Sequence, residues 1–101
     1  MKLFIDTSSS EKLVIGLDEK RYESKARVRT SQKLLPFIDH ILKKKKRKIE
    51  EVTEIEVVTG PGSFTGLRVG VSVANTLGWV LGVKVNGVDI SKKGSVDIRY
   101  S

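Results

Sequence analysis

Val57-Val58-Thr59-Gly60-Pro61-Gly62-Ser63-Phe64-Thr65-Gly66-Leu67-Arg68-Val69-Gly70 decides how the rest of the chain is read. It opens as an apolar, β-branched run, breaks on Gly-Pro-Gly, and resumes through Ser63 and Thr65 into a segment that continues to Leu81. Gly and Pro cannot continue a ladder, and Ser or Thr can cap a helix start, so the order is strand, tight turn, helix. Backbone N–H groups at such a turn can cradle an anion. The loop is not a Walker A motif, because no Gly-Lys-Ser/Thr follows Gly60 or Gly62. Two readings stand: a turn that launches a packing helix, or a phosphate loop built from Gly60, Gly62 and Ser63 with Asp6 and Thr7.

The segment after the turn carries conflicting signals. Leu67, Val69, Val71 and Val73 alternate with smaller or polar residues, as a half-buried strand would. Gly66, Gly70, Ala74, Gly78 and Gly82 recur every fourth residue, which on a helix aligns them along one ridge. Val69, Val73, Leu77, Val80 and Leu81 then share a neighbouring face. A strand with this many glycines is weak, whereas a helix with a ridge of small residues lets another backbone approach closely. Each glycine costs a helix about 1 kcal/mol relative to Ala, so close packing has to compensate. The expectation is a helix whose small-residue seam receives a neighbouring subunit. A bulky residue at Gly70 or Ala74 is then expected to block association and leave the chain folded.

Upstream, Lys2 to Asp6, Lys12 to Leu17 and Tyr22 to Arg29 read as three strands of a meander, the last with one wet face. Thr30 or Ser31 caps a helix whose Leu34, Leu35, Phe37, Ile38, Ile41 and Leu42 form an amphipathic stripe. Pro36 implies a slight kink or a late start. Glu54 to Thr59 is a further strand, Gly82 closes the second helix, and Val83 to Val88 is another strand. Asp89 to Gly94 reads as a polar connection, and Ser95 to Tyr100 as a short closing strand. The predicted class is α/β, a mixed sheet in the order βββ-α-β-α-β-(β), with residues 1–101 as one domain.

The net charge of +7 is local in origin: Lys43, Lys44, Lys45, Lys46, Arg47 and Lys48 supply six of the nineteen basic residues. The run is either a solvated helix end, where cations suit the dipole, or a phosphate contact. With no cysteine there is no disulfide, thiolate nucleophile or Cys-type zinc site. The single histidine, His40, has no second His or Cys to complete a metal site. No apolar run is long enough to span a membrane and no signal peptide opens the chain, which fits a cytosolic protein. No paired carboxylates or Ser/His/Asp set stand out, so no catalytic residue, metal or cofactor is assigned. Asp6 reads best as an Asx-turn residue.

Ile5-Asp6-Thr7-Ser8, the run Gly60 to Gly70 and Thr30-Ser31-Gln32-Lys33-Leu34-Leu35-Pro36 together resemble the TsaB (YeaZ) family, over Met1 to Val88. The family has His-Ser or His-Thr before Leu-Leu-Pro; here the His position is Thr30. The resemblance implies an actin-like, ribonuclease-H-type domain acting in threonylcarbamoyladenosine synthesis in tRNA. It implies a non-catalytic partner of the catalytic subunit TsaD, with the ATPase TsaE as a further partner and a homodimer as an alternative assembly. The implied interface is a helical bundle, here Leu34, Leu35, Ile38, Ile41, Leu42, Gly66, Leu67, Gly70, Val73, Ala74 and Leu77. Lys43 to Lys48 would make a subsidiary tRNA contact. The alternatives are a nucleotide-binding actin-like ATPase domain and a basic tRNA-binding module. Family members are longer, with a second domain, and the closing strand from Ser95 reads as the end of a minimal form.

Overall fold

The computed structural model describes residues 1–25 and 30–98. Strands β1 (Lys2–Asp6), β2 (Lys12–Leu17) and β3 (Lys20–Lys25) come first, then helix α1 (Thr30–Lys44) and a 3-10 turn over Ile49–Glu51. Strand β4 (Glu54–Val57), helix α2 (Phe64–Leu81), strands β5 (Lys84–Val85) and β6 (Val88–Asp89) and the short helix α3 (Ile90–Lys93) follow. The sheet order is β3-β2-β1-β4-β5-β6. β1 pairs in parallel with β4, and β4 with β5; the other pairs are antiparallel.

Period-2 alternation sets the faces. Leu3 and Ile5 of β1, Leu13, Ile15 and Leu17 of β2, Ile55 and Val57 of β4 and Val85 of β5 are buried. Leu34, Ile38, Ile41 and Leu42 of α1 and Val71 and Ala74 of α2 join them in one core. Both connections between parallel strands therefore lay a helix on that core, as an amphipathic stripe over an apolar sheet face requires. Between the strand residues that enter the core lie Lys2, Phe4, Glu54 and Glu56, where Lys2 pairs with Glu56 at 2.6 Å.

The predicted elements hold through α2, including the helix over Gly66 to Leu81 that alternation argued against. β3 begins at Lys20, before the expected Tyr22, because the turn needs only Asp18 and Glu19, Asp18 at φ 56°. The expected end of that strand, residues 26–29, lies outside the described residues. Thr30 and Ser31 both lie inside α1, so neither stands before it as a cap, and Pro36 is accommodated within the helix. β4 stops at Val57, two residues earlier than expected.

The last quarter differs most. Val83 to Val88 is not one strand, because Asn86 (φ 50°) and Gly87 (φ 78°) form a two-residue turn between β5 and β6. Asn-Gly is the pair such a hairpin prefers, since both central residues take positive φ. Asn86 also donates through Nδ2 to the Val57 carbonyl at 3.0 Å and accepts from the Val57 N–H at 2.8 Å. It thereby extends the ladder on β4 where β5 turns away. Asp89 to Gly94 is not a plain connection: Asp89 caps α3, accepting from the Ser91 N–H at 3.1 Å. The expected closing strand does not form over Ser95–Ile98. There the Asn75 amide takes both backbone groups of Val96, at 2.9 and 3.0 Å, in place of a neighbouring strand. Residues 99–101 lie outside the described residues.

Candidate functional site

Strands β1 and β4 run parallel, so their C-terminal ends deliver two loops side by side. The first is Asp6-Thr7-Ser8-Ser9 and the second is Val58 to Ser63. The Ser63 N–H donates to the Ser8 carbonyl at 2.7 Å, tying the loops together. Gly62 sits at φ 154°, and a Cβ there would stand 2.6 Å from both Cβ and the carbonyl oxygen of Ser8. Only glycine allows this approach. Ser63 then caps α2, its Oγ accepting from the Gly66 N–H at 3.4 Å, and Gly82 closes the helix at φ 67°.

The side-chain oxygens of Asp6 and Thr7 and the Ser63 N–H, on which a phosphate reading relied, make hydrogen bonds within the chain. Asp6 accepts from the N–H and the hydroxyl of Ser8 at 2.9 and 2.6 Å, an Asx turn. Thr7 is fully buried and its hydroxyl donates to the Gly66 carbonyl at 2.6 Å. Gly60 joins Pro61 through a cis peptide. Among the described residues, no group of three or more His, Asp or Glu side chains is placed to hold a metal ion.

The seam of small residues faces inward, which corrects the expectation that it receives another subunit. Gly66, Gly70, Ala74 and Gly78 are buried in the chain's own core. A Cβ on Gly66 would overlap the Thr7 carbonyl, and one on Gly70 would overlap the Thr7 hydroxyl and stand 3.2 Å from its methyl. At Gly78 the obstacle is Val85, at 2.5 Å, with Ile90 at 3.3 Å. The seam exists so that α2 can lie flush on β1 and β5. Leu34, Ile38, Ile41, Leu42 and Leu67 are likewise buried, none more than 5% exposed. Of the residues assigned to an interface, only Leu35, Val73 and Leu77 keep surface.

What the helix layer offers outward is a different set. Val69, Val73, Leu77 and Val80 stand at i, i+4, i+8 and i+11, one row along α2. The first three are half-buried and pack against the core, and Val80 is 70% exposed. Trp79 is 64% exposed, Leu35 on α1 52% and Phe64 47%. Sequence reasoning placed Val69, Val73, Leu77 and Val80 on one face but missed Trp79 and Phe64. The inward turn of Gly78 put Trp79 outside.

The basic run lies at the C-terminal end of α1. α1 ends at Lys44, and the chain turns through Lys46 (φ 56°), whose N–H bonds the Lys43 carbonyl at 3.1 Å, into the 3-10 turn. Lys43 pairs with Asp39 at 3.0 Å and Arg47 with Glu51 at 2.7 Å. The Lys48 N–H, with the Arg47 guanidinium second, holds the Glu51 carboxyl below its usual range. The Lys45 ammonium lies over the Tyr22 ring at 5.2 Å, in a groove that Lys2, Lys20, Arg21 and Arg47 line together with Asp18, Glu19 and Glu54. No helix among the described residues is long and apolar enough to cross a membrane.

Comparison with known proteins bears on what these surfaces serve. The family model of TsaD, tRNA N6-adenosine threonylcarbamoyltransferase, matches residues 24–91, more than half of the chain. The chain is 34% identical over 58 residues to the Bacillus subtilis tRNA threonylcarbamoyladenosine biosynthesis protein TsaB, covering 57% of this chain and 25% of that protein. It is 37% identical over 78 residues to the Haemophilus influenzae TsaB, covering 74% and 33%. The structure of YeaZ from Pseudomonas aeruginosa superposes with a TM-score of 0.73 at 25% identity, over 83% of this chain and 41% of that one. The mixed sheet with its helix layer is thus the actin-like α/β fold expected from the sequence. The chain spans about a quarter to a third of the length of the curated relatives it matches.

Proposed function

The chain belongs to the TsaD family, in its TsaB (YeaZ) group, and from that membership we propose that it is an accessory subunit of tRNA threonylcarbamoyladenosine synthesis. In this reading it is a non-catalytic, actin-like domain that docks a TsaD-type catalytic subunit and holds it in an active state. The observation that carries the proposal is the exposed apolar pair Trp79 and Val80 at the end of α2. Val69, Val73 and Leu77 are half-buried against the core, and Trp79 and Val80 in the last turn of the helix are largely exposed. Apolar surface of this kind on a charged protein marks a partner site, and an exposed Trp is the side chain most often found at the energetic centre of one. The engaged polar atoms of Asp6 and Thr7 support a binding role over nucleotide hydrolysis.

The test mixes the purified chain with a TsaD-type subunit and follows complex mass and tRNA modification together. A stable complex with raised modification activity is the expected result. A mass equal to two copies of this chain, unchanged by the added subunit, would instead assign the surface to self-association. ATP hydrolysis by the chain alone would favour the nucleotide-binding alternative.

A further inference from the structure

Six consecutive cations repel one another, and the structure shows which of them are neutralised. A helix C-terminus accounts for basic side chains in its last turn, here Lys43 and Lys44. It does not account for Lys45, Lys46 and Lys48, which lie past the helix on a folded turn. Asp39 and Glu51 satisfy Lys43 and Arg47. Among the described residues, no carboxylate pairs with Lys44, Lys45, Lys46 or Lys48. Lys20, the first residue of β3, lines the same groove as Lys45 and Arg47, with Asp18, Glu19 and Glu54 as its acidic members. Blocks of like charge usually form tails, whereas this one is held by three backbone hydrogen bonds at 2.9 to 3.1 Å: Lys45 to Ile41, Lys46 to Lys43 and Arg47 to Leu42.

We propose that this end of the molecule, Lys44, Lys45, Lys46 and Lys48 with Lys20, is a docking surface for the phosphate backbone of tRNA. The choice of RNA rests on the family reading above, and the chemistry narrows how it binds. The Tyr22 face is covered by Lys45, so no aromatic platform is open for base stacking at the groove. Among the described residues that line the groove, the only apolar or aromatic side chains are Leu17, which is buried, and Tyr22, so the groove offers little to a bilayer. Recognition is by charge density, independent of base sequence, and therefore steeply dependent on salt.

The experiment measures binding of the whole chain alone to fluorescently labelled unmodified tRNA across a salt series. The variant is Lys44→Gln/Lys46→Gln/Lys48→Gln; Lys45 is kept because it packs on Tyr22. Lys12→Gln/Lys25→Gln/Lys33→Gln is the control of equal charge loss on other surfaces. All six of these side chains are exposed, and circular dichroism checks folding. The first variant should lose more than tenfold in affinity at about 50 mM salt, and its log–log salt slope should fall by about 2 to 3. The control should lose much less. Equal losses in the two variants would overturn the proposal, as would polyglutamate or phosphatidylserine vesicles bound as tightly as tRNA. No TsaD-type subunit is present in this assay. Failure here leaves subunit docking standing, and failure of docking leaves this result standing.

Discussion

Replacing Gly70 by Ala sets two opposing effects against each other. In a free or outward-facing helix the change stabilises, by about 1 kcal/mol, because alanine restricts the unfolded chain and suits the helix. At this position the added methyl would overlap the Thr7 hydroxyl and press on its methyl at 3.2 Å. Thr7 has no room to yield, being fully buried and bonded to the Gly66 carbonyl at 2.6 Å. Overpacking of a tight core costs about 1–3 kcal/mol. Displacing the Thr7 hydroxyl from its acceptor adds about 1 kcal/mol. The net expectation for Gly70→Ala is a loss of about 2 kcal/mol, a fall in Tm of about 8–16 °C for a domain of this size. Urea and thermal unfolding followed by circular dichroism give the number. The decisive control is the same change in a Thr7→Ala background, where the obstructing hydroxyl and methyl are gone. There Gly70→Ala should be neutral or stabilising, a coupling of about 2–3 kcal/mol between the two positions. If Gly70→Ala alone raises Tm, α2 does not lie flush on β1, and the seam is available to another subunit after all.

Asn86→Ala removes two hydrogen bonds to Val57 and a residue suited to φ 50°, and should cost about 2 kcal/mol in urea unfolding without altering partner binding. Gly87→Val places a β-branched residue at φ 78° and should destabilise by about 1–2 kcal/mol, with amide exchange accelerating first in β5 and β6. The Glu51 carboxyl is held low by the Lys48 N–H and then Arg47, so its contribution is present above the ordinary carboxylate pKa and is lost as pH falls through its lower folded value. Acid titration of Glu51→Gln against the unaltered chain should therefore show the two curves converging only at the acid end; identical curves at neutral and acid pH would contradict the role given to the carboxylate.

Local chemistry made much of this fold legible. The meander, both helices and the turn between Val57 and Ser63 were set by alternation, by the Leu34 to Leu42 stripe and by Gly-Pro-Gly. Where Leu67 to Val73 gave two periods at once, the four-residue recurrence of small side chains was the deciding signal, and α2 follows it. Val83 to Val88 misled because an apolar run outweighed the Asn-Gly pair inside it, whose preference for positive φ is a stronger constraint than hydropathy. Ser95 to Ile98 alternates like a strand, yet a strand needs a neighbour, and the Asn75 side chain supplies those bonds instead. The direction of the glycine seam could not be read at all. Close approach explains such a seam equally well against a sheet or a subunit, and its contact, Thr7, lies 59 residues away from Gly66. That ambiguity is why buried residues such as Leu34 and Ala74 were assigned to an interface while Trp79 was passed over.

The most direct test of subunit docking is titration calorimetry of a TsaD-type subunit with this chain and with its Trp79→Asp/Val80→Asp variant. Both side chains are largely exposed and outside the core, so the variant should stay folded, losing about 1–2 kcal/mol from two acids near a helix C-terminus. It should bind at least about tenfold more weakly, the minimum for residues near the centre of an interface. Equal affinity for the two proteins, with folding intact, would contradict the assignment of this helix face.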